Sequence, residues 1–239
     1  MKRNWVRKLW LNNTHENYFG YFFVGKTGNA LVDKKIENEA KQYSDMVIVD
    51  FRDAYRNLTA KVYTMLAWKQ KFCNEANYFL RTNDDTVVNF TNLHSFTKNN
   101  NKNVQTKQIY GYQWQNPVPM RDINNKWYVT RKEFAGDTYP DFCAGWSCLY
   151  TKSAVDAVLK QAPSTNYLWL DDVIYGGILA EKGNVSRIHL PKIFIPDFQL
   201  SDYRKFVCGR MNNEKFIALH FHELDAFLAK NDTFRCLDE

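Results

Sequence analysis

Apolar residues in this chain change their spacing several times, and each change predicts an element. Val6, Leu9 and Trp10 recur at helical intervals within the basic, aromatic stretch Arg3–Trp10, which predicts a short helix. Tyr21-Phe-Phe-Val-Gly25 reads as a strand closed by glycine, with a loop through Gly28. Val32, Ile36, Ala40 and Tyr43 then step by four, four and three, the pattern of an amphipathic helix over Leu31–Tyr43. Met46-Val-Ile-Val-Asp50 is continuous rather than alternating, as expected of a strand covered on both faces. A helix capped by Asn57 follows, striped by Leu58, Val62, Met65, Leu66, Lys69 and Phe72 and ending near Cys73; the Lys69 stem is expected to lie along the core. Strand Tyr78–Arg81 runs into Thr82-Asn-Asp-Asp, and a short helix is predicted around Leu93–Phe96.

Farther on, Ile109–Trp114 is strand-like and Pro117 and Pro119 mark irregular chain. Trp127 to Cys148 is aromatic and interrupted by Gly and Pro, the composition of a loop wall around a pocket. Ser153 is placed as the cap of a helix to Leu159. Asp171 and Asp172 stand at the first turn of another helix, where the macrodipole stabilises carboxylates. Arg187–Leu190 and Ile193–Phe198 look like late strands, and Phe216–Leu228 holds His220 and His222 in apolar surroundings. Strands and helices alternate through residue 98 and mix afterwards. This predicts an α/β fold in a single domain over 1–239, with a mainly parallel central sheet flanked by helices.

Length and composition narrow the classes. A chain of 239 residues can bury roughly 70% of its unfolded surface, and 45% hydrophobic residues with 16% aromatics argue against disorder. Apolar runs such as Tyr21–Val24 fall far short of the ~18 residues of a membrane span, and the basic start Met1-Lys-Arg leads into no apolar region, so the chain as given carries no recognisable signal peptide. The net charge of +6 is scattered without a five-residue basic block, which is not a nucleic-acid footprint. Cys73, Cys143, Cys148, Cys208 and Cys236 include no C-x₂-C pair and so no zinc-ribbon pattern. With sequons at Asn12, Asn57, Asn89, Asn184 and Asn231, these separated cysteines favour a secretory-pathway compartment.

Candidate chemistry concentrates at two acidic junctions. In open α/β sheets ligands bind beyond the carboxyl ends of strands, so Asp84 and Asp85 are placed to meet one. Hard carboxylate oxygens suit Mg²⁺ or Mn²⁺, and a divalent cation bridging to phosphates acts as a Lewis acid on a departing diphosphate. An Asn-Asp-Asp triplet equally suits a turn or cap, Asp171-Asp172 equally suits a cap, and His220 equally suits a satisfied core position.

The order of several blocks carries further. Arg3-x-x-Val6-Arg7-x-x-Trp10, Phe22-Phe-Val-Gly25, Asp50-Phe-x-Asp53-x-Tyr55-x-Asn57-Leu-Thr-x-Lys61, Trp68 with Cys73, Asn83-Asp-Asp-x-Val-Val-Asn89, Tyr139-Pro-x-Phe-Cys-x-Gly145 and Asp171-Asp-Val173 together resemble the β-1,3-galactosyltransferase and β-1,3-N-acetylglucosaminyltransferase family. The resemblance implies a GT-A-like fold, a UDP-sugar donor, Mn²⁺ at an Asp-x-Asp signature, and inverting transfer of galactose or N-acetylglucosamine to a glycan hydroxyl on glycoprotein or glycolipid. It assigns Asp85 and His220 to the metal and Asp172 to the general base. Asp84, Arg3, Arg7 and Lys61 fall to the donor, and Cys73 with Cys143 is the implied disulfide. It further implies a Golgi membrane location on the lumenal side through an N-terminal anchor. Family members carry that anchor, a stem and a first strand ahead of the Arg-x-x-Ile-Arg helix, whereas this chain as given begins almost inside the helix. Asn83 stands in place of the triplet's first aspartate, and Asp171 where Glu is usual. The competing reading is a catalytically silent glycan- or nucleotide-binding relative on the same scaffold; an endonuclease or phosphatase on paired aspartates is a third.

Overall fold

The computed structural model describes residues 2–9, 11, 17–196 and 215–221. The first helix, α1 (Lys2–Leu9), precedes β1 (Phe22–Lys26), α2 (Ala30–Tyr43) and β2 (Met46–Arg52). Helix α3 (Leu58–Phe72), β3 (Tyr78–Thr82), β4 (Thr86–Val88) and α4 (Phe90–Asn99) follow. The second half holds β5 (Gln108–Trp114), β6 (Phe142–Thr151), α5 (Lys152–Gln161), a π-helical segment Val173–Ile178 running into α6 (Leu179–Lys182), then β7 (Ser186–His189), β8 (Phe194–Ile195) and β9 (Ala218–His220). No helix among the described residues is long and apolar enough to cross a membrane.

The sheets are mixed, which corrects the expectation of a mainly parallel one. β1 and β2 pair in parallel, and a four-stranded sheet runs β3-β6-β5-β7. Within it β6 is antiparallel to both neighbours, while β5 and β7 are parallel. A third sheet, β4-β9-β8, shares a core with Tyr110 of β5 and Leu149 of β6. The reason is β6. It fills the middle of the large sheet where a loop wall was expected; only the stretch between β5 and Phe142 is irregular.

That misreading has a physical cause. Tyr150 and Ile109 face a core built with Val62 and Leu66 of α3, Val155 of α5, and Leu168, Leu170, Val173 and Tyr175, while Leu149 and Tyr110 face a second core with Val6, Val87, Leu93 and Phe194. A strand buried on both faces shows no alternation, and its cysteines and glycine mimic loop composition. β2, expected to be covered on both faces, has only Val49 buried and leaves Ile48 39% exposed. Two caps also differ. Thr151, not Ser153, accepts the Ala154 N–H at the start of α5, and Asn57 makes no cap bond, its amide donating instead to the Arg52 carbonyl at 2.9 Å. Lys69 is buried, and its Nζ makes no hydrogen bond among the described residues. His222 and the chain beyond it, with Cys208 and Cys236, lie outside the described residues.

The π-helical segment presses directly on β6. A Cβ at Gly176 would stand 2.9 Å from the Cys143 carbonyl oxygen and 3.0 Å from its nitrogen, and one at Gly177 would stand 3.1 Å from the Phe142 Cβ. Only glycine lets the two backbones meet. Gly176→Ala is therefore expected to lower unfolding free energy by about 1–3 kcal/mol, read as a reduced urea midpoint with unchanged slope; an unchanged midpoint would contradict this close approach.

Candidate active site

Two halves of a site are assembled on β6. Between the pairs Gly111–Cys148 and Gln113–Cys143, β5 contributes only Tyr112 while β6 contributes Ala144, Gly145, Trp146 and Ser147. This wide bulge re-aims the chain, as bulges beside functional sites do. The Trp146 carbonyl accepts the Asn83 N–H at 2.9 Å and lies 3.3 Å and 3.4 Å from the hydroxyls of Thr82 and Thr86. It thereby pins both ends of the acidic loop. The Trp146 ring stacks on His220, centroids 5.3 Å apart and 13° from parallel.

Pairing of β4 with β9 sets Thr86 opposite His220, and Phe221 N–H donates to the Asp85 carbonyl at 2.9 Å. The result brings His220 Nε2 to 3.6 Å from Asp85 Oδ1. Asp84 projects outward, its carboxylate 4.0 Å from Lys2 Nζ. Among the described residues no group of three or more His, Cys, Asp and Glu side chains is arranged to hold a metal ion. Asp85 and His220 are two such donors side by side. A cleft of about 720 Å³ extends from Asn83 and Asp84 between β3 and β1, with Trp68, Phe79 and Phe22 among its walls.

The second half surrounds Asp172. Arg81 of β3 is buried and ion-paired with the buried Asp171. Burial is the largest single influence and opposes the guanidinium charge, but the surrounding groups, Asp171 foremost, together outweigh it, so Arg81 stays protonated. Gly145 makes room for this pair: a Cβ there would lie 3.0 Å from Arg81 Nη2 and 3.1 Å from the Asp172 Cβ. Asp172 accepts the Val173 N–H at 2.9 Å. Its carboxyl is pushed up to about 6 by burial first and the neighbouring Asp171 charge second, against the opposing pull of Arg81 and of the Val173 and Gly145 N–H groups.

The remaining candidates are tied to other acids. Arg3 donates to both Glu39 oxygens at 2.8 and 2.5 Å. Arg7, buried, forks onto Asp45 at 2.7 and 2.8 Å, reaches Glu39 at 2.8 Å and stacks 3.8 Å over the Tyr43 ring. Lys61 Nζ donates to Asp53 at 2.6 Å, and Asp53 also takes the Gly25 N–H at 2.9 Å. These bonds join α1 to α2 and α3 to β1. The structure thus places Arg3, Arg7 and Lys61 in framework ion pairs. Cys73 stands at the end of α3 and Cys143 in the core, both as free thiols, so the implied disulfide is not formed.

Arg81 and the Gly145–Trp146 bulge are the site residues sequence reasoning missed. A lone Arg in an apolar strand was the available signal for the first, since buried Arg is almost never unpaired.

Residues 1–191 match a family model described as Galactosyltransferase. The chain is 29% identical over 192 residues to Beta-1,3-galactosyltransferase 5 of Gorilla gorilla gorilla, covering 78% of this chain and 63% of that protein. It is 30% identical over 187 residues to Beta-1,3-galactosyltransferase 1 of Mus musculus, covering 76% of this chain and 56% of that protein. The chain thus spans about three fifths of the length of the curated relatives it matches.

The two adjacent aspartates predict opposite stability effects. Asp171→Asn strips buried Arg81 of its counter-charge and is expected to cost about 3–5 kcal/mol. Asp172 has a folded-state pKa above its ordinary 3.8, so this group's contribution to stability declines as pH rises from about 4 to about 6. Asp172→Asn should therefore leave stability equal or higher at pH 7.5. Denaturant melts of both variants check this, and a large loss in D172N would contradict it.

Proposed function

From the premise that this chain belongs to the galactosyltransferase family, we propose that it is an inverting hexosyltransferase, a single GT-A-like domain that moves galactose or N-acetylglucosamine from a UDP-sugar to a glycan hydroxyl. The observation that best supports this is Asp172. A carboxyl raised to about 6 is ionised at neutral pH yet basic enough to take a proton. The acceptor oxygen attacks the anomeric carbon as its proton passes to Asp172, and the bond to the donor's phosphate oxygen breaks from the opposite face, releasing UDP.

Asp85 and His220 would hold a manganese ion, one by a carboxylate oxygen and the other by an imidazole nitrogen. The metal would neutralise charge on the departing diphosphate. Asp84, at the mouth of the cleft, meets the donor directly or through water. Arg3, Arg7 and Lys61 act one step back in this reading, holding α1, β1 and α3 in place around the donor. A Golgi lumenal location, with the acceptor glycan on glycoprotein or glycolipid, belongs to the same reading.

Asp172→Asn should lower kcat by about 10²–10⁴-fold with the donor KM little changed, and the acid limb of kcat/KM should fall near pH 6 in the parent protein. Asp85→Ala should abolish the dependence of UDP binding on Mn²⁺ in calorimetric titration. Unchanged UDP-sugar turnover in both variants would overturn the proposal. Metal-dependent UDP binding with no transfer to any acceptor would instead identify the silent relative, the reading that Asn83 motivates.

A further inference from the structure

Next to Asp172 lies a group of aromatic and cationic side chains that proton transfer and donor binding leave unused. Trp169, three residues before Asp172, is buried and its ring centroid lies 5.8 Å from that of Tyr55. The Tyr55 hydroxyl accepts the Trp127 indole N–H at 3.1 Å. Lys126 Nζ sits 4.7 Å from the centre of the Tyr55 ring and 5.6 Å from that of Trp127, and the Arg56 guanidinium 4.6 Å over Trp169. Tyr55 and Trp127 are nonetheless 45% and 49% exposed.

The chain beside Tyr55 is bonded to the segment that carries Asp172. Thr59, at the start of α3, donates its hydroxyl to the Leu168 carbonyl at 2.7 Å, and Tyr175 donates back to the Thr59 carbonyl at 2.9 Å. These two bonds tie the start of α3, just after Tyr55 in the chain, to the segment that carries Asp172. Burial raises the Tyr55 hydroxyl, the Trp127 hydrogen bond opposes this, and the Asp172 and Asp171 carboxylates add to the rise, which puts the ring within electrostatic reach of both acids. Two buried donors nearby make no hydrogen bond among the described residues, the Trp169 Nε1–H and the Tyr139 hydroxyl. Buried donors of this kind are ordinarily met by ordered water or another polar group.

A ligand that covers exposed ring faces and brings hydroxyls without charge is of the saccharide class. Pyranose rings present a face of C–H groups to aromatic π-clouds and an edge of hydroxyls. The two cations already lie over rings, so they stiffen the aromatics by cation–π attraction rather than select an anion. A hydroxyl within reach of Asp172 would carry its own ring outward across this surface.

We propose that Tyr55, Trp127 and Trp169 form the acceptor platform, with the ring of a neutral acceptor sugar stacked on Trp127 and Tyr55 while its reactive hydroxyl meets Asp172. This rests on the transferase reading above. The test uses the full chain with UDP and Mn²⁺ present, and methyl β-galactoside and methyl N-acetyl-β-glucosaminide as probes. Saturation-transfer NMR on the parent protein should show contact through the sugar's C–H face. Trp127→Ala should abolish that signal and raise the acceptor KM about tenfold, as the loss of a ring contact worth about 1.4 kcal/mol implies, with the donor KM unchanged. Trp127→Phe should recover most of the affinity. No saccharide contact in the parent protein, or an acceptor KM unmoved in both variants, overturns the platform. Saccharide binding that depends on Trp127 without any transfer would leave the platform standing and sink the transferase reading.

Discussion

The buried pair of Arg81 and Asp171 is the constraint on which the rest of the site depends. Neither charge is tolerable alone in the core, since removing one partner strands the other away from water. Together they dictate that a residue without a side chain passes over them, and Gly145 does so with its Cα facing Arg81 and Asp172. They also set the electrostatics of the neighbouring carboxyl. Asp172 is buried beside a fixed negative charge, and the Arg81 counter-charge only partly offsets this. One ion pair therefore both shapes the chain around Asp172 and tunes it.

The bulge in β6 extends this control across the sheet. Because four of its residues span a gap that β5 crosses with one, Gly145 reaches Asp172 while the next residue, Trp146, stacks on His220 and holds the Asn83 backbone with its carbonyl. The acidic loop and the Asp172 segment come from chain regions far apart in sequence. They share two consecutive residues of one strand as their support. The glycines of the π-helical segment secure the other side, since they allow the backbone after Asp172 to rest on Cys143.

Much of the first half was legible in the sequence because its elements face the core on one stripe or in one short run. The helix periods at Val32–Tyr43 and Leu58–Phe72 recover α2 and α3 nearly to the residue. β6 was not legible, because burial on both faces erases alternation and its Gly and Cys content imitates a loop. Strand direction was not legible either, as an apolar run carries no sign of its partner's orientation. At the site, Asp85 and His220 stand out as residue types, yet their approach to 3.6 Å depends on the pairing of β4 with β9, which no local pattern specifies. The division of labour between Asp171 and Asp172 is invisible in a repeated letter. It appears only once Arg81 is seen to take the first and leave the second facing the site.

The central claim is that burial and the fixed Asp171 charge, rather than anything supplied by substrate, make Asp172 basic. A carbon-detected NMR titration of the Asp172 side-chain carboxyl in the intact, ligand-free protein, assigned by its loss in D172N, tests this most directly. A midpoint near 6 is expected. A midpoint at the ordinary aspartate value near 3.8 would contradict it.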